Sequence, residues 1–82
     1  MNKYKIIQWL VEKAEEAENK GMDMFITYSA HVNVVHVYIY VDKWGAYKEP
    51  NVDIELLFNR ESIEDVDKKL EEVSRVINEK KD

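Results

Sequence analysis

Cysteine is missing from this chain, and its punctuation is sparse: one proline, Pro50, and two isolated glycines, Gly21 and Gly45. Without cysteine there is neither a disulfide nor a thiolate metal site, so the usual staples of small secreted domains are excluded. Two separated glycines cannot build a phosphate-cradling loop. No apolar run approaches the ~20 residues that span a bilayer, so no membrane association is expected. Charges follow Met-Asn-Lys-Tyr-Lys-Ile-Ile at the N-terminus too closely for a signal-peptide core, which makes a cytoplasmic protein the expectation. A basic stripe is also lacking. Seventeen acids stand against 12 bases for a net charge of −5, and residues 22–59 hold five acids and two bases. A surface that tracks phosphates needs the opposite balance, so direct nucleic-acid binding is not expected. The acidic excess suits a partner with a basic surface.

What is present is a globular composition, 45% hydrophobic and 35% charged. That is too apolar for a disordered chain. The length suits one domain over residues 1–82, and a chain this short buries only ~60% of its extended-chain surface.

The densest signal lies at residues 34–42, Val-Val-His-Val-Tyr-Ile-Tyr-Val-Asp. Period-two alternation sends Val35, Val37, Ile39 and Val41 one way and His36, Tyr38, Tyr40 and Asp42 the other. β-branched and aromatic residues fill it, as a half-buried strand requires. Residues 22–30 alternate in the same manner, with Met24, Ile26, Tyr28 and Ala30 opposite in direction to Phe25, Thr27, Ser29 and His31. Asn33 tolerates positive φ in the short link between the two, which predicts a tight hairpin. Residues 52–59 point Val52, Ile54, Leu56 and Phe58 inward and Asp53, Glu55, Leu57 and Asn59 outward. Asp53 and Glu55 would discourage edge pairing if this is an edge strand.

Helical periodicity brackets the strands. In residues 4–18, Ile6, Ile7, Leu10, Val11, Ala14 and Ala17 share one arc, and Gly21 supplies a left-handed stop with Lys20 at the negative end. Trp9 falls out of register with that arc, so it either packs against a neighbouring element or anchors a partner. Ser62 with Asp65 reads as an N-cap and approximate capping box, and Ile63, Val66, Leu70, Val73, Val76 and Ile77 form the stripe of a second helix. Lys80 and Lys81 sit at its negative end. Glu64–Lys68, Asp65–Lys69 and Glu71–Arg75 have the spacing of helix-stabilising ion pairs, which makes a solvated, salt-laced surface a better account of these acids than a mimic of DNA phosphates.

The order is helix, strand, strand, strand, helix. Short connections predict an antiparallel meander, and two amphipathic helices need its aliphatic side, giving an α+β two-layer sandwich of order αβββα. The opposite side then displays Phe25, Tyr38, Tyr40 and Leu57 among Asp42, Asp53 and Glu55. An apolar patch of that extent usually marks an interface. The rival arrangement puts the second helix over it. Trp44 and Tyr47, in the loop at residues 43–51, either fold over the sheet end or form the tip of a contact loop.

No enzyme is expected. Ser29 is an ordinary strand serine without a base set beside it. His31 and His36, the only histidines, would need Asp42 or Glu55 to hold a metal and lack any fixed ligand spacing, so neither metal nor cofactor is expected. Tyr38 and Tyr40 have the character of an RNA-stacking platform, yet Asp42, Asp53 and Glu55 lie where phosphates would run. In size, acidity, lack of cysteine and element order, the chain resembles small phage-encoded inhibitors, anti-CRISPR proteins among them. That resemblance implies a stoichiometric binder in the host cytoplasm that blocks a nucleic-acid enzyme by occupying its basic surface. The expected function is therefore non-enzymatic protein binding through Tyr38, Tyr40, Asp42, Trp44, Tyr47, Asp53 and Glu55. The alternative is a small homodimeric regulatory or accessory domain whose open sheet face pairs with itself.

Overall fold

The computed structural model describes residues 2–80. Helix α1 (Lys3–Asn19) is followed by strand β1 (Asp23–Ser29), a 3-10 turn (Ala30–Val32), strands β2 (Val34–Tyr40) and β3 (Val52–Leu57), and helix α2 (Ile63–Glu79). The strands form one antiparallel sheet in the order β1-β2-β3, so the αβββα sandwich read from the sequence is the fold. No helix among the described residues is long and apolar enough to cross a membrane.

Local chemistry sets the element ends. The Asn2 side chain caps α1 by accepting from the N–H groups of Tyr4 (3.0 Å) and Lys5 (3.3 Å). At the other end Gly21 takes φ 81, with its N–H donating to Glu18 and that of Met22 to Ala17. This Schellman arrangement brings the buried Met22 against the buried Ala17. Asn33 adopts φ 55 after the 3-10 turn, so the connection is a four-residue loop closed by one left-handed residue. The Ser62 hydroxyl accepts from the Asp65 N–H at 3.1 Å, starting α2 where the sequence places it.

Register pairs Val35, Val37 and Ile39 with Tyr28, Ile26 and Met24 on one side and with Leu56, Ile54 and Val52 on the other. Both helices cover this aliphatic side, and the core joins Leu10 and Ala17 to Val66, Val73 and Ile77 across it. The arrangement with α2 on the opposite side is thereby excluded. Trp9 is half-buried against the core and borders a groove with Leu70 and Ser74 of α2, while the Lys13 ammonium sits 5.4 Å from its ring centroid. The buried arc of α1 is thus turned toward Trp9, and Val11, expected inside, is 48% exposed. Ile63 is likewise outside the core, at 59% exposure in the first turn of α2.

The expected ion pairs also differ in detail. Arg75 turns to Glu72 and Glu79 instead of Glu71, and hydrogen bonding to Glu72 first and Glu79 second holds its guanidinium above the ordinary arginine pKa. Lys69 passes over Asp65 and binds Glu61 at 2.7 Å while donating to the Glu55 carbonyl at 2.6 Å. Glu64 and Lys68 form no ion pair among the described residues. Lys20 donates to the Ile77 carbonyl (3.0 Å) and Lys80 to that of Val41, so these cations tie helix ends to neighbours. Lys81 lies outside the described residues.

Candidate functional site

Because both helices lie on one side, the other side of the sheet carries no element among the described residues. Alternation places Phe25 and Thr27 of β1, His36, Tyr38 and Tyr40 of β2, and Asp53, Glu55 and Leu57 of β3 on it, in rows fixed by the register: Phe25–Tyr38–Asp53 and Thr27–His36–Glu55. Within this array Tyr38 stacks on His36, centroids 5.8 Å apart and planes within 8°. Phe25 meets Tyr40 edge-on at 5.8 Å. The His36 Nε2 lies 2.7 Å from Glu55 Oε2. Such contacts hold the rings upright in a preorganised layer, each aromatic pair contributing about 0.5–1.5 kcal/mol beyond area burial.

Asp23 is the residue that joins this layer to the loop at residues 43–51. Its carboxylate accepts from the Trp44 N–H at 2.7 Å and lies 3.8 Å from the Lys43 ammonium. Asn51 closes the other end, its side chain accepting from the Val41 N–H (2.9 Å) and its own N–H donating to the Ile39 carbonyl (2.8 Å). A turn from Gly45 to Lys48 forms the tip, with the Lys48 N–H on the Gly45 carbonyl at 3.0 Å. The loop is therefore pinned at its base while its rings stand free. Tyr47 is 102% exposed and Trp44 56%, so neither folds over the end of the sheet.

Of the residues expected to form the site, Tyr38, Tyr40, Asp53 and Glu55 share the open face. Asp42, Trp44 and Tyr47 lie on the adjoining turn and loop, where the Lys48 ammonium approaches the Asp42 carbonyl at 3.5 Å. Lys43 and Lys48 sit among the loop aromatics beside Asp23, Asp42 and Glu49, so this end of the site carries one net negative charge and β3 carries two. Nothing in the local sequence pattern marks Asp23 for this role. Its parity with Phe25 was visible, but its bond to a residue 21 positions away was not.

His31 and His36 do not converge. His31 lies in the exposed 3-10 turn, whereas His36 faces Thr27 and Glu55 in mid-sheet. Among the described residues no three His, Asp or Glu side chains gather as a metal group would. Thr27, His36 and Glu55 repeat the order hydroxyl, imidazole, carboxylate. Only the imidazole–carboxylate half of that row is joined by a hydrogen bond, so the hydroxyl–imidazole contact of a nucleophilic triad is not made. Comparisons with protein-family models, with curated proteins and with solved structures find no match to this chain.

Proposed function

We propose that this chain is a non-enzymatic binding protein whose open sheet face and 43–51 loop seat a protein partner with a basic surface. One observation carries the reading: a layer of large rings with polar tips is braced by its own contacts yet covered by no element among the described residues, and acids border it. Tyr and Trp are the side chains that dominate binding energy once an interface forms. Asp42, Asp53 and Glu55 would steer a cationic partner and repel phosphates. The resemblance in size, acidity and element order to small phage-encoded inhibitors makes stoichiometric inhibition of a nucleic-acid enzyme the proposed role. Self-pairing through the same face is disfavoured, since it would bring these acids toward their own copies.

The test is affinity capture from the cell of origin with the wild-type chain and with Tyr40→Ala/Trp44→Ala as bait. A basic nucleic-acid enzyme held by the first and lost by the second, in a salt-sensitive manner, supports the proposal. Equal retention by both baits contradicts it.

A further inference from the structure

We propose that the free edge of β1, with the adjoining flank of α1, is a dimer interface that joins two copies into one six-stranded antiparallel sheet. Backbone direction identifies the edge. Phe58 N–H donates to Asn33 C=O (3.2 Å) and Asn51 N–H to Ile39 C=O (2.8 Å), so odd-numbered residues of β2 face β3 and even-numbered ones face β1. By the register, the odd residues of β1 pair with β2, and the N–H and C=O groups of Met24, Ile26 and Tyr28 point away from the sheet. The outer edge of β3 is handled differently: Glu61 accepts from the Leu57 N–H (2.7 Å) and Lys69 donates to the Glu55 C=O (2.6 Å). β1 has no such cover among the described residues. It carries no proline or lysine, and its one charge is Asp23 at its end. Native sheets blunt a free edge by such devices unless it is to be paired.

The occupant is a second copy, for three reasons. First, β1 is compatible with itself: an antiparallel pairing centred on Ile26 sets Met24 against Tyr28, Phe25 against Thr27 and Asp23 against Ser29 of the second copy, with no like charges opposed. The six outward backbone groups of each strand then meet in register. Second, the same flank of α1 carries Ile7, Val11 and Ala14, and Val11 and Ala14 line a cleft with Met24. An extended peptide would fill the edge and leave that stripe wet, whereas a second copy brings a helix with each strand. Third, α1 antiparallels β1, with Lys3 over the Tyr28 ring at one end and Glu18 beside Met24 at the other. The two-fold axis therefore sets α1 antiparallel to its mate. Residues 3–10 hold Lys3 and Lys5 and no acid, while residues 11–19 hold four glutamates against Lys13, so opposite charges meet. Dimerisation would merge the two open faces into one, presenting the proposed partner with a two-fold symmetric surface.

Sedimentation equilibrium and amide hydrogen exchange on the intact chain test this. The expected result is a dimer whose Met24, Ile26 and Tyr28 amides exchange at least tenfold more slowly at millimolar than at low micromolar concentration. Val11→Glu, at an exposed position, should abolish both effects and keep a folded circular-dichroism spectrum. Tyr40→Ala should leave the dimer intact, which separates this interface from the partner-binding face. A monomer at millimolar concentration would overturn the proposal. So would a dimer whose Met24, Ile26 and Tyr28 amides exchange as fast as those of Val11→Glu, or one lost in Tyr40→Ala and kept in Val11→Glu.

Discussion

One strand supplies both halves of this molecule. Val35, Val37 and Ile39 are fully buried, while His36, Tyr38 and Tyr40, alternating with them in β2, stay partly open to solvent. The valines and isoleucine on one side and the tyrosines on the other all suit a strand. What separates their fates is the pair of helices, whose aliphatic stripes select the aliphatic side. The rings are left with contacts to each other and to Glu55. The covered side carries the stability, and the uncovered side is free to carry recognition.

That division can be broken from the core side first. Val37→Asp or Ile39→Asp should unfold the chain, because an unpaired buried charge costs several kcal/mol. A domain of this size has only about 5–15 kcal/mol in total to lose. Circular dichroism at room temperature would show it, and an unchanged thermal melt in either variant would mean the two faces are assigned backwards.

A smaller effect is expected at the β3 edge. Glu61→Ala removes the acceptor of the Leu57 N–H and the partner of Lys69. The loss should be about 1–2 kcal/mol in chemical denaturation. Ser62→Ala, which uncaps α2, should cost about 1 kcal/mol.

On the open side, Asp53→Lys with Glu55→Lys should leave most of the stability in place. It should slow association with a basic partner more than it speeds dissociation, and flatten the salt dependence of the association rate. The smallest expected change is none. Added zinc or manganese should leave the melting temperature where it was, since a ion bound only by the native state must raise it. A clear upward shift would point to His36 and Glu55 as ligands.

Period-two alternation reads both faces of all three strands but runs past their ends, to Ala30, Asp42 and Asn59, which lie in turns, and Gly21 and Ser62 mark the helix ends. Those signals are local, and local parity survives tertiary packing. The helix faces were less legible, because burial depends on where the neighbour lies. α1 sits at one side of a two-layer sandwich, so its inner flank meets α2 through Trp9 while Val11 falls on the outer rim. Ile63, in the first turn of α2, overhangs the layer in the same manner. Ion-pair partners were not legible either, since Lys69 had a choice between Asp65 on its own helix and Glu61 in the preceding turn. The site was legible as a face but not as an assembly. The Asp23 bond that seats the aromatic loop joins residues 21 apart, and no sequence period reports it.

The claim that the uncovered rings serve recognition and not folding is tested most directly by one pair of values for Tyr40→Ala/Trp44→Ala: its stability and its affinity for the captured partner, each against wild type. The account predicts a stability loss of no more than about 1.5 kcal/mol, the upper worth of the Phe25–Tyr40 contact, together with binding weakened by about 2 kcal/mol or more. A variant that loses stability and binds normally would contradict it, for those rings would then belong to the core.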